Sequence, residues 1–280
     1  MHCHSSTIVE TPEGDLLAAW FYGHGDKGDD TLVINGARRK KGDTAWSKPF
    51  LMADSDSLPD QNPVLFMDPR EMLWLFYICS LDNTYDTYLV KYKTSKDYAG
   101  EGAPIWESEQ VLHVRPQEFE RLFLSDLWAN AADYAAMLAA KPKYPRWIED
   151  AKHKALEKLN QRIGWMTRTH PIMLDERTIM LPLYSDAFAC SLAVFTSDWG
   201  RSWTSSQPIL NLNVQASFAR RSNGDIVAYM RDRSARRKMP MSVSTDGGKT
   251  WSAALPTTMA NPDSSVVVLP LPSGKWLLVC

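Results

Sequence analysis

Thirteen polar side chains in this sequence carry the functional groups needed for acid–base chemistry on an anion. They occur where a strand should begin or in a loop that follows a strand, so folding can bring them to a common site. The set consists of His4, His24, Asp26, Asp29, Asp30, Asn62, Arg168, His170, Tyr184, Asp186, Gln215, Arg231 and Asp232. Carboxylates and imidazoles transfer protons, and arginine binds carboxylates through paired hydrogen bonds. This combination is typical of catalysis on an acidic sugar.

The spacing of histidine, cysteine and acidic residues predicts no metal site. His2 and His4 form only a pair, and we expect His2 to be a solvated residue near the terminus. The cysteines are Cys3, Cys79, Cys190 and Cys280. They show no CxxC motif or short framework spacing, so we expect reduced and mostly buried thiols. We therefore expect neither a metal nor a cofactor.

Composition limits the classes of partner. With 31 basic and 33 acidic residues among 280, the formal net charge of −2 argues against binding to nucleic acid or to an anionic membrane. No apolar stretch has the length of a transmembrane helix. No signal peptide is recognisable, but the N-terminus looks truncated, so the sequence does not predict the localisation. It does not predict the oligomeric state either. Eleven Trp and ten Tyr fit a carbohydrate ligand, although packing beneath turns explains several of the Trp.

The elements that must position these side chains are indicated by a repeated turn. In STDGGKTW (244–251), Asp246 and the two glycines after it form a hairpin-turn signature, and Trp251 is expected to pack beneath the turn. A second copy, TSDWGRSW, occupies 196–203. The two tryptophans that close these copies lie 48 residues apart, and weaker echoes occur at Trp46 and Trp106.

Short strands follow the same order around each turn. The sequence predicts four units of four strands and the first two strands of a fifth unit. A repeat of about 50 residues built from short strands predicts an all-β propeller. Its ligand pocket would lie on the axis, lined by the starts of the innermost strands and the loops after the second strands.

Residues 118–163 interrupt this repeat. Apolar residues recur there every three or four positions, from Phe119 to Leu138 and again from Trp147 to Ile163. This periodicity predicts a helical hairpin, broken at Pro142 and Pro145, between the second and third units. Two roles stay open for this insertion: it walls one side of the pocket, or it is a purely structural appendage.

The repeated turn has the pattern S/T-x-D-x-G-x-T/S-W, which is the Asp-box, and the chain resembles the sialidase (neuraminidase)-like BNR-repeat family. The resemblance implies a sialidase-type six-bladed β-propeller, of which residues 1–280 contain about four and a half blades and are incomplete at both ends. It implies a structural role at the rim for the residues of the two boxes. These are Asp198, Gly200, Trp203, Asp246, Gly248 and Trp251.

The resemblance also implies site residues in the first unit. In the family, the first arginine lies on the strand before a turn that Glu13-Gly14-Asp15-Leu16 resembles. The position of that arginine corresponds to His4 in this chain. A protonated His4 can bind a carboxylate, and near neutral pH it can act as an acid or a base. Asp26-Lys27-Gly28-Asp29 is similar to the loop that carries the acid/base aspartate of the family, which implies that Asp26 is the general acid.

In the fourth unit, Tyr229-Met230-Arg231 is similar to the segment of the family that carries the second arginine. Arg231 would then bind the substrate carboxylate, the alternative being a salt bridge with Asp232. The family's glutamate, sixteen residues earlier, is replaced by Gln215. An amide cannot accept a proton from a tyrosine nucleophile. The third arginine and that tyrosine would follow Cys280.

We therefore expect an exo-acting glycoside hydrolase for an acidic sugar, either sialic acid or a uronic acid, with Asp26 and His4 as catalytic residues. The expected substrate-binding residues are Arg231, Gln215, Arg168, His170, Tyr184, Asp186 and Asn62. Two alternatives stay open. One is a uronate polysaccharide lyase that uses histidine and tyrosine, and the other is a glycan-binding propeller without catalysis.

Overall fold

The structure is a computed structural model that describes residues 2–25 and 29–280. The described residues form nineteen strands and three helices. The chain divides into two compact units. The first unit comprises Met1–His113 and Trp165–His170, and the second comprises Val114–Gly164 and Pro171–Cys280.

The first unit contains two four-stranded antiparallel sheets whose strands pair in chain order. The first sheet consists of β1 (His2–Glu10), β2 (Leu16–Gly23), β3 (Val33–Arg39) and β4 (Phe50–Ala53). The second consists of β5 (Asp60–Met67), β6 (Leu73–Ser80), β7 (Tyr88–Ser95) and β8 (Ser108–Leu112). A short strand, β9 (Met166–Thr167), completes the unit. The run of apolar residues in β6 is buried throughout, whereas β2 buries alternate residues against the same core.

The second unit contains strands in three groups, again antiparallel and in chain order. The first group is β10 (Ile172–Met173), β11 (Ile179–Ser185), β12 (Cys190–Thr196) and β13 (Thr204–Ser205). The second is β14 (Asn213–Arg220), β15 (Ile226–Asp232), β16 (Lys238–Ser244) and β17 (Leu255–Ala260). The third is the pair β18 (Val267–Pro270) and β19 (Trp276–Val279). Met180, Phe218, Ile226 and Met230 are central to the core between the first two groups.

The predicted helical insertion is helical, but it contains three helices instead of a two-helix hairpin. They are α1 (Phe119–Ala129), α2 (Ala131–Ala140) and α3 (Trp147–Leu156). The additional break falls at Asn130, whose side-chain amide donates to the carboxylate of Asp126 at 2.8 Å. Asparagine side chains compete with the backbone for such bonds and so interrupt helices. The last helix ends at Leu156, and Leu159 is 65% exposed, so the expected continuation to Ile163 is wrong.

The observed strands agree with the prediction of an all-β protein made of repeated antiparallel sheets. The number of blades and their arrangement around an axis remain predictions. Cys79 and Cys190 are buried thiols, whereas Cys3 and Cys280 are exposed, so only half of the cysteines are buried as expected. Among the described residues, no helix has the length and apolar character needed to cross a membrane.

Candidate functional site

Three strands that begin a sheet carry a β-bulge at the same point. The bulges lie between His4 and Thr7 in β1, between Gln61 and Val64 in β5, and between Val214 and Ser217 in β14. Bulges re-aim side chains and are frequent beside active sites. The repeated position therefore marks candidate functional residues in both units.

The first residue of each bulge has a left-handed backbone. Ser5, Asn62 and Gln215 have φ angles of 55°, 50° and 57°. A residue other than glycine rarely adopts this conformation, and such strain clusters at functional sites. Asn62 and Gln215 were predicted site residues. Ser5 was missed: it is Ser5, and not its neighbour His4, that occupies in β1 the position of Asn62 in β5 and Gln215 in β14.

In the first unit, Asn62 connects the bulged strands to the segment that contains Arg168. The hydroxyl of Ser5 donates to Oδ1 of Asn62 at 2.9 Å, and the hydroxyl of Thr167 donates to the backbone carbonyl of Asn62 at 2.6 Å. Arg168 follows Thr167 directly and is half-buried. His170 is also half-buried, and its burial lowers its pKa, which favours the neutral imidazole.

The predicted loop residues of the first unit that the structure describes have partners within that unit. Asp26 lies outside the described residues. Asp29 accepts hydrogen bonds from the hydroxyl and amide of Thr31, which lower its pKa. Asp30 accepts a hydrogen bond from Asn83 at 2.8 Å, and the ring of the exposed His4 makes a T-shaped contact with that of Phe21.

A polar cluster surrounds the buried Asp60 of β5 and involves β7, β8 and the segment before β5. Asp60 is fully buried and accepts the amide hydrogen of Ser55 at 2.8 Å. Lys91 donates to the hydroxyl of Ser55 at 2.7 Å and pairs with Glu109. Burial raises the pKa of Asp60 to about 6, against the smaller opposing effects of Ser55 and Lys91. Sequence reasoning missed this carboxyl group, although it stands two residues before Asn62.

In the second unit, Arg231 lies on β15 opposite Val214 of β14. Its Nε donates to Oδ1 of Asp263 at 2.7 Å, and its Nη1 donates to Oε1 of Gln215 at 3.5 Å. The structure therefore brings together Arg231 and Gln215, two predicted site residues that lie sixteen positions apart in the sequence. The alternative salt bridge with Asp232 is wrong, because Arg231 pairs with Asp263, and the buried carboxylate of Asp232 accepts the amide and hydroxyl hydrogens of Ser234 and the amide hydrogen of Lys238.

Two further cations approach the same aspartate. Nη1 of Arg233 lies 3.5 Å from Oδ1 of Asp263, and Nζ of Lys141 lies 3.3 Å from Oδ2. We call Arg231, Arg233 and Lys141 the cation cluster. Burial alone would raise the pKa of Asp263, but the hydrogen bond from Arg231 and the charges of the cluster hold it below its usual value. Sequence reasoning missed Arg233, Lys141 and Asp263.

Asp186 also joins this site, since Oδ1 lies 3.7 Å from Nη2 of Arg233. Tyr184, two residues earlier on β11, is buried in the second unit. The arrangement of three cations, two carboxylates and the amide of Gln215 can bind and orient an anion through charge-assisted hydrogen bonds. Within the part of the chain that the structure describes, no group of His, Cys, Asp and Glu side chains has metal-binding geometry.

The two Asp-boxes have equivalent hydrogen bonds in the second unit. Asp246 accepts the amide hydrogens of Lys249 and Thr250 and the hydroxyl hydrogens of Ser244 and Thr250. Asp198 similarly accepts the amide and hydroxyl hydrogens of Ser202 and the hydroxyl hydrogen of Thr196.

The other residues of the boxes shape the turn and its packing. Gly200 and Gly248 have φ angles of 87° and 85°, which glycine adopts without strain. Trp251 stacks on Phe218 at 5.2 Å, and Trp203 is half-buried. These contacts stabilise the turns and involve no residue of the cation cluster.

A sequence model described as a BNR repeat-like domain matches residues 14–132 and 143–280 of the chain. Among curated proteins no sequence matches the chain. The match includes both Asp-boxes, the bulged strands β5 and β14, and most of the helical insertion.

Similar solved structures cover 99% of this chain. A protein of unknown function from Dyadobacter fermentans has a TM-score of 0.69 at 15% identity, over 74% of its own length. An intramolecular trans-sialidase from Ruminococcus gnavus, in complex with oseltamivir carboxylate, has a TM-score of 0.66 at 15% identity, over 76% of its length. The NanB sialidase from Streptococcus pneumoniae has a TM-score of 0.67 at 10% identity, over 56% of its length. At these identities the likeness establishes the fold alone.

Proposed function

Because the chain belongs to the BNR repeat-like domain family, we propose that it is a sialidase-like, exo-acting glycoside hydrolase for an acidic sugar. The proposal includes the arrangement of its sheets as blades of a sialidase-type propeller. The sugar is a sialic acid or a uronic acid, and its carboxylate binds at Arg231.

The observation that carries this proposal is the set of contacts that Arg231 makes with Asp263 and Gln215. The side chain of Arg231 is 27% exposed, and its guanidinium binds one carboxylate, that of Asp263, at 2.7 Å. Gln215 approaches from a strained bulge on the adjacent strand. Backbone strain clusters at functional sites, and a partly exposed ion pair adds little stability, so this arrangement supports a binding role for Arg231.

Asp26 is proposed to protonate the leaving oxygen, and His4 to bind or transfer a proton at the same substrate. Asn62, Arg168, His170, Tyr184 and Asp186 are proposed to line the pocket. No cofactor takes part in this scheme.

Two alternatives are each favoured by one observation. The amide of Gln215 cannot accept a proton, which favours a glycan-binding protein without catalysis. The lowered pKa of His170 provides a neutral imidazole that can remove a proton, which favours a lyase acting on a uronate chain.

One experiment separates these functions. The purified protein is incubated with sialosides, aryl uronides and uronate oligosaccharides, and free sugar and ultraviolet absorbance are measured. A hydrolase releases free sugar, a lyase yields an unsaturated product that absorbs, and a glycan-binding protein retains affinity without product. If no acidic glycan is bound or cleaved, the proposed function is wrong.

Variants assign the roles. Arg231→Met should weaken binding of acidic glycans about 10- to 100-fold, because a hydrogen bond to a charged group is lost. Arg221→Met, an exposed arginine of the turn between β14 and β15, is the matched control and should have no effect. Asp26→Asn should lower turnover of substrates with poor leaving groups about 10²- to 10⁴-fold, and less for aryl glycosides. Equal losses on both substrate types would show that Asp26 is not the acid.

A further inference from the structure

We infer that Arg231, Arg233 and Lys141 together form a subsite for a ligand carboxylate, and that the side chain of Asp263 occupies this subsite until a ligand displaces it. The inference rests on the proposed function for the identity of the natural ligand. It adds two cations that the Asp-box and strand motifs do not indicate, and it assigns Asp263 the role of an internal competitor.

The contacts of Asp263 resemble those of a bound anion. Oδ1 accepts a hydrogen bond from Arg231 at 2.7 Å and lies 3.5 Å from Arg233, while Oδ2 lies 3.3 Å from Lys141. Each oxygen therefore faces a different set of donors, as both oxygens of a ligand carboxylate would. Charge-assisted contacts of this kind are those by which arginine and lysine recognise a ligand carboxylate.

The subsite is accessible. The side chains of Arg231, Arg233 and Lys141 are 27%, 24% and 24% exposed, and that of Asp263 is 36% exposed. Ion pairs at this exposure are weak because water and salt screen them. A ligand carboxylate can therefore replace the aspartate without breaking a buried pair.

The backbone around Asp263 is held in place, so displacement requires only rotation of its side chain. The buried amide of Asn261 accepts the backbone hydrogen of Ser264 at 3.0 Å and donates to its carbonyl at 2.9 Å. Asp263 itself has a φ of 68°, a conformation that asparagine tolerates as well as aspartate. Asp263→Asn should therefore remove the charge and preserve the loop.

The helical insertion supplies the third cation. Lys141 follows α2 and also donates to the backbone carbonyl of Arg233 at 3.5 Å. The insertion is attached to the same region by Asp133, which pairs with Arg236 at 2.9 Å. Of its two roles left open by the sequence, these contacts favour the one in which the insertion walls the site.

Gln215 leaves the positive charge of the subsite available. A carboxylate at this position would pair with Arg231 and compete with a ligand, whereas the amide is neutral and only accepts a hydrogen bond. The cation cluster then faces two carboxylates, Asp263 and Asp186. Rotation of Asp263 out of the subsite leaves an excess of two positive charges to attract an anion.

The test measures binding of sulfate and of glucuronate to the full chain, by thermal shift and calorimetry, for the wild type and Asp263→Asn. Both anions should bind the variant at least several-fold more tightly, because the internal competitor has lost its charge. Asp225→Asn is the matched control: its carboxylate lies near Arg221 at 3.9 Å, outside the cation cluster, so it changes the net charge equally. It should leave affinity unchanged.

A second variant tests the contribution of the insertion. Adding Lys141→Met to Asp263→Asn should abolish the gain in sulfate affinity, whereas Lys143→Met, an exposed lysine of the same loop, should preserve it. If Asp263→Asn binds sulfate no more tightly than the wild type, the inference is wrong, whatever the sugars do. If it gains sulfate affinity but no acidic glycan binds either protein, the subsite stands and the proposed function fails.

Discussion

Replacement of Asp60 by asparagine should change how the stability of the protein depends on pH. Asp60 is fully buried, and its burial raises its pKa from 3.8 to about 6. The folded state therefore binds this proton more tightly than the unfolded state does. The wild type therefore loses stability as the pH rises from about 3.8, the pKa of Asp60 in the unfolded chain, to above about 6, its pKa in the folded protein.

The magnitude follows from the size of the shift. A difference of about two pKa units corresponds to about 3 kcal/mol at high pH. About 2 kcal/mol of this cost develops between about pH 4.5 and about pH 8, because the unfolded state is partly ionised at the lower pH. The asparagine side chain of the variant does not ionise. The free energy of unfolding of Asp60→Asn, minus that of the wild type, should therefore rise by about 2 kcal/mol over this range.

The assay is urea unfolding followed by tryptophan fluorescence at several pH values. A constant offset, such as the cost of burying an amide beside Ser55, cancels in the pH dependence of the difference. Burial raises the pKa of Cys79, and the pKa of Glu109 is lowered, against the effect of its burial, by its hydrogen bonds with Lys91 and Lys93, so neither shift moves the titration of these groups into this pH range. Asp54→Asn, an exposed carboxylate nearby, controls for net charge. A difference that stays flat with pH, or that falls, would refute the reasoning.

Three further substitutions test the packing that holds the sheets and the insertion, each by the urea midpoint. Asp246→Ala should lower the free energy of unfolding by about 1–2 kcal/mol, because the exposed amides that donate to Asp246 can form hydrogen bonds with water instead. Thr245→Ala in the same turn should cost little, and equal effects of the two substitutions would contradict the Asp-box interpretation. Gly248→Ala should cost more than about 1 kcal/mol, because φ is 85° and the new Cβ would lie 2.7 Å from the Met180 side chain; an unchanged midpoint would exclude this strain. Tyr134→Phe should cost about 1–3 kcal/mol by removing the 2.6 Å hydrogen bond to Asp126, and a neutral result would show that this bond does not stabilise the insertion.

The sequence by itself determined the strands, their antiparallel order and both Asp-box turns. These features depend on residues that are close in the chain. Strands follow from the alternation or runs of apolar residues, and each box turn follows from an aspartate, Asp198 or Asp246, that accepts hydrogen bonds from residues at most four positions away. It also determined that the insertion at 118–163 contains helices, since their periodicity is local, although the last helix ends at Leu156 and not at Ile163. It did not determine the break at Asn130, because a single side-chain hydrogen bond does not alter that periodicity.

Only the tertiary structure decided how the candidate site is composed. Arg231 was predicted from its own strand, but its partner Asp263 comes from a loop 32 positions later, and Lys141 reaches that aspartate from 122 positions earlier. Likewise, the strain at Ser5 and the burial of Asp60 depend on bulges and neighbouring strands. Periodicity records which face of an element is apolar, whereas charge pairing across distant loops depends on how the chain folds back on itself, which no short pattern encodes.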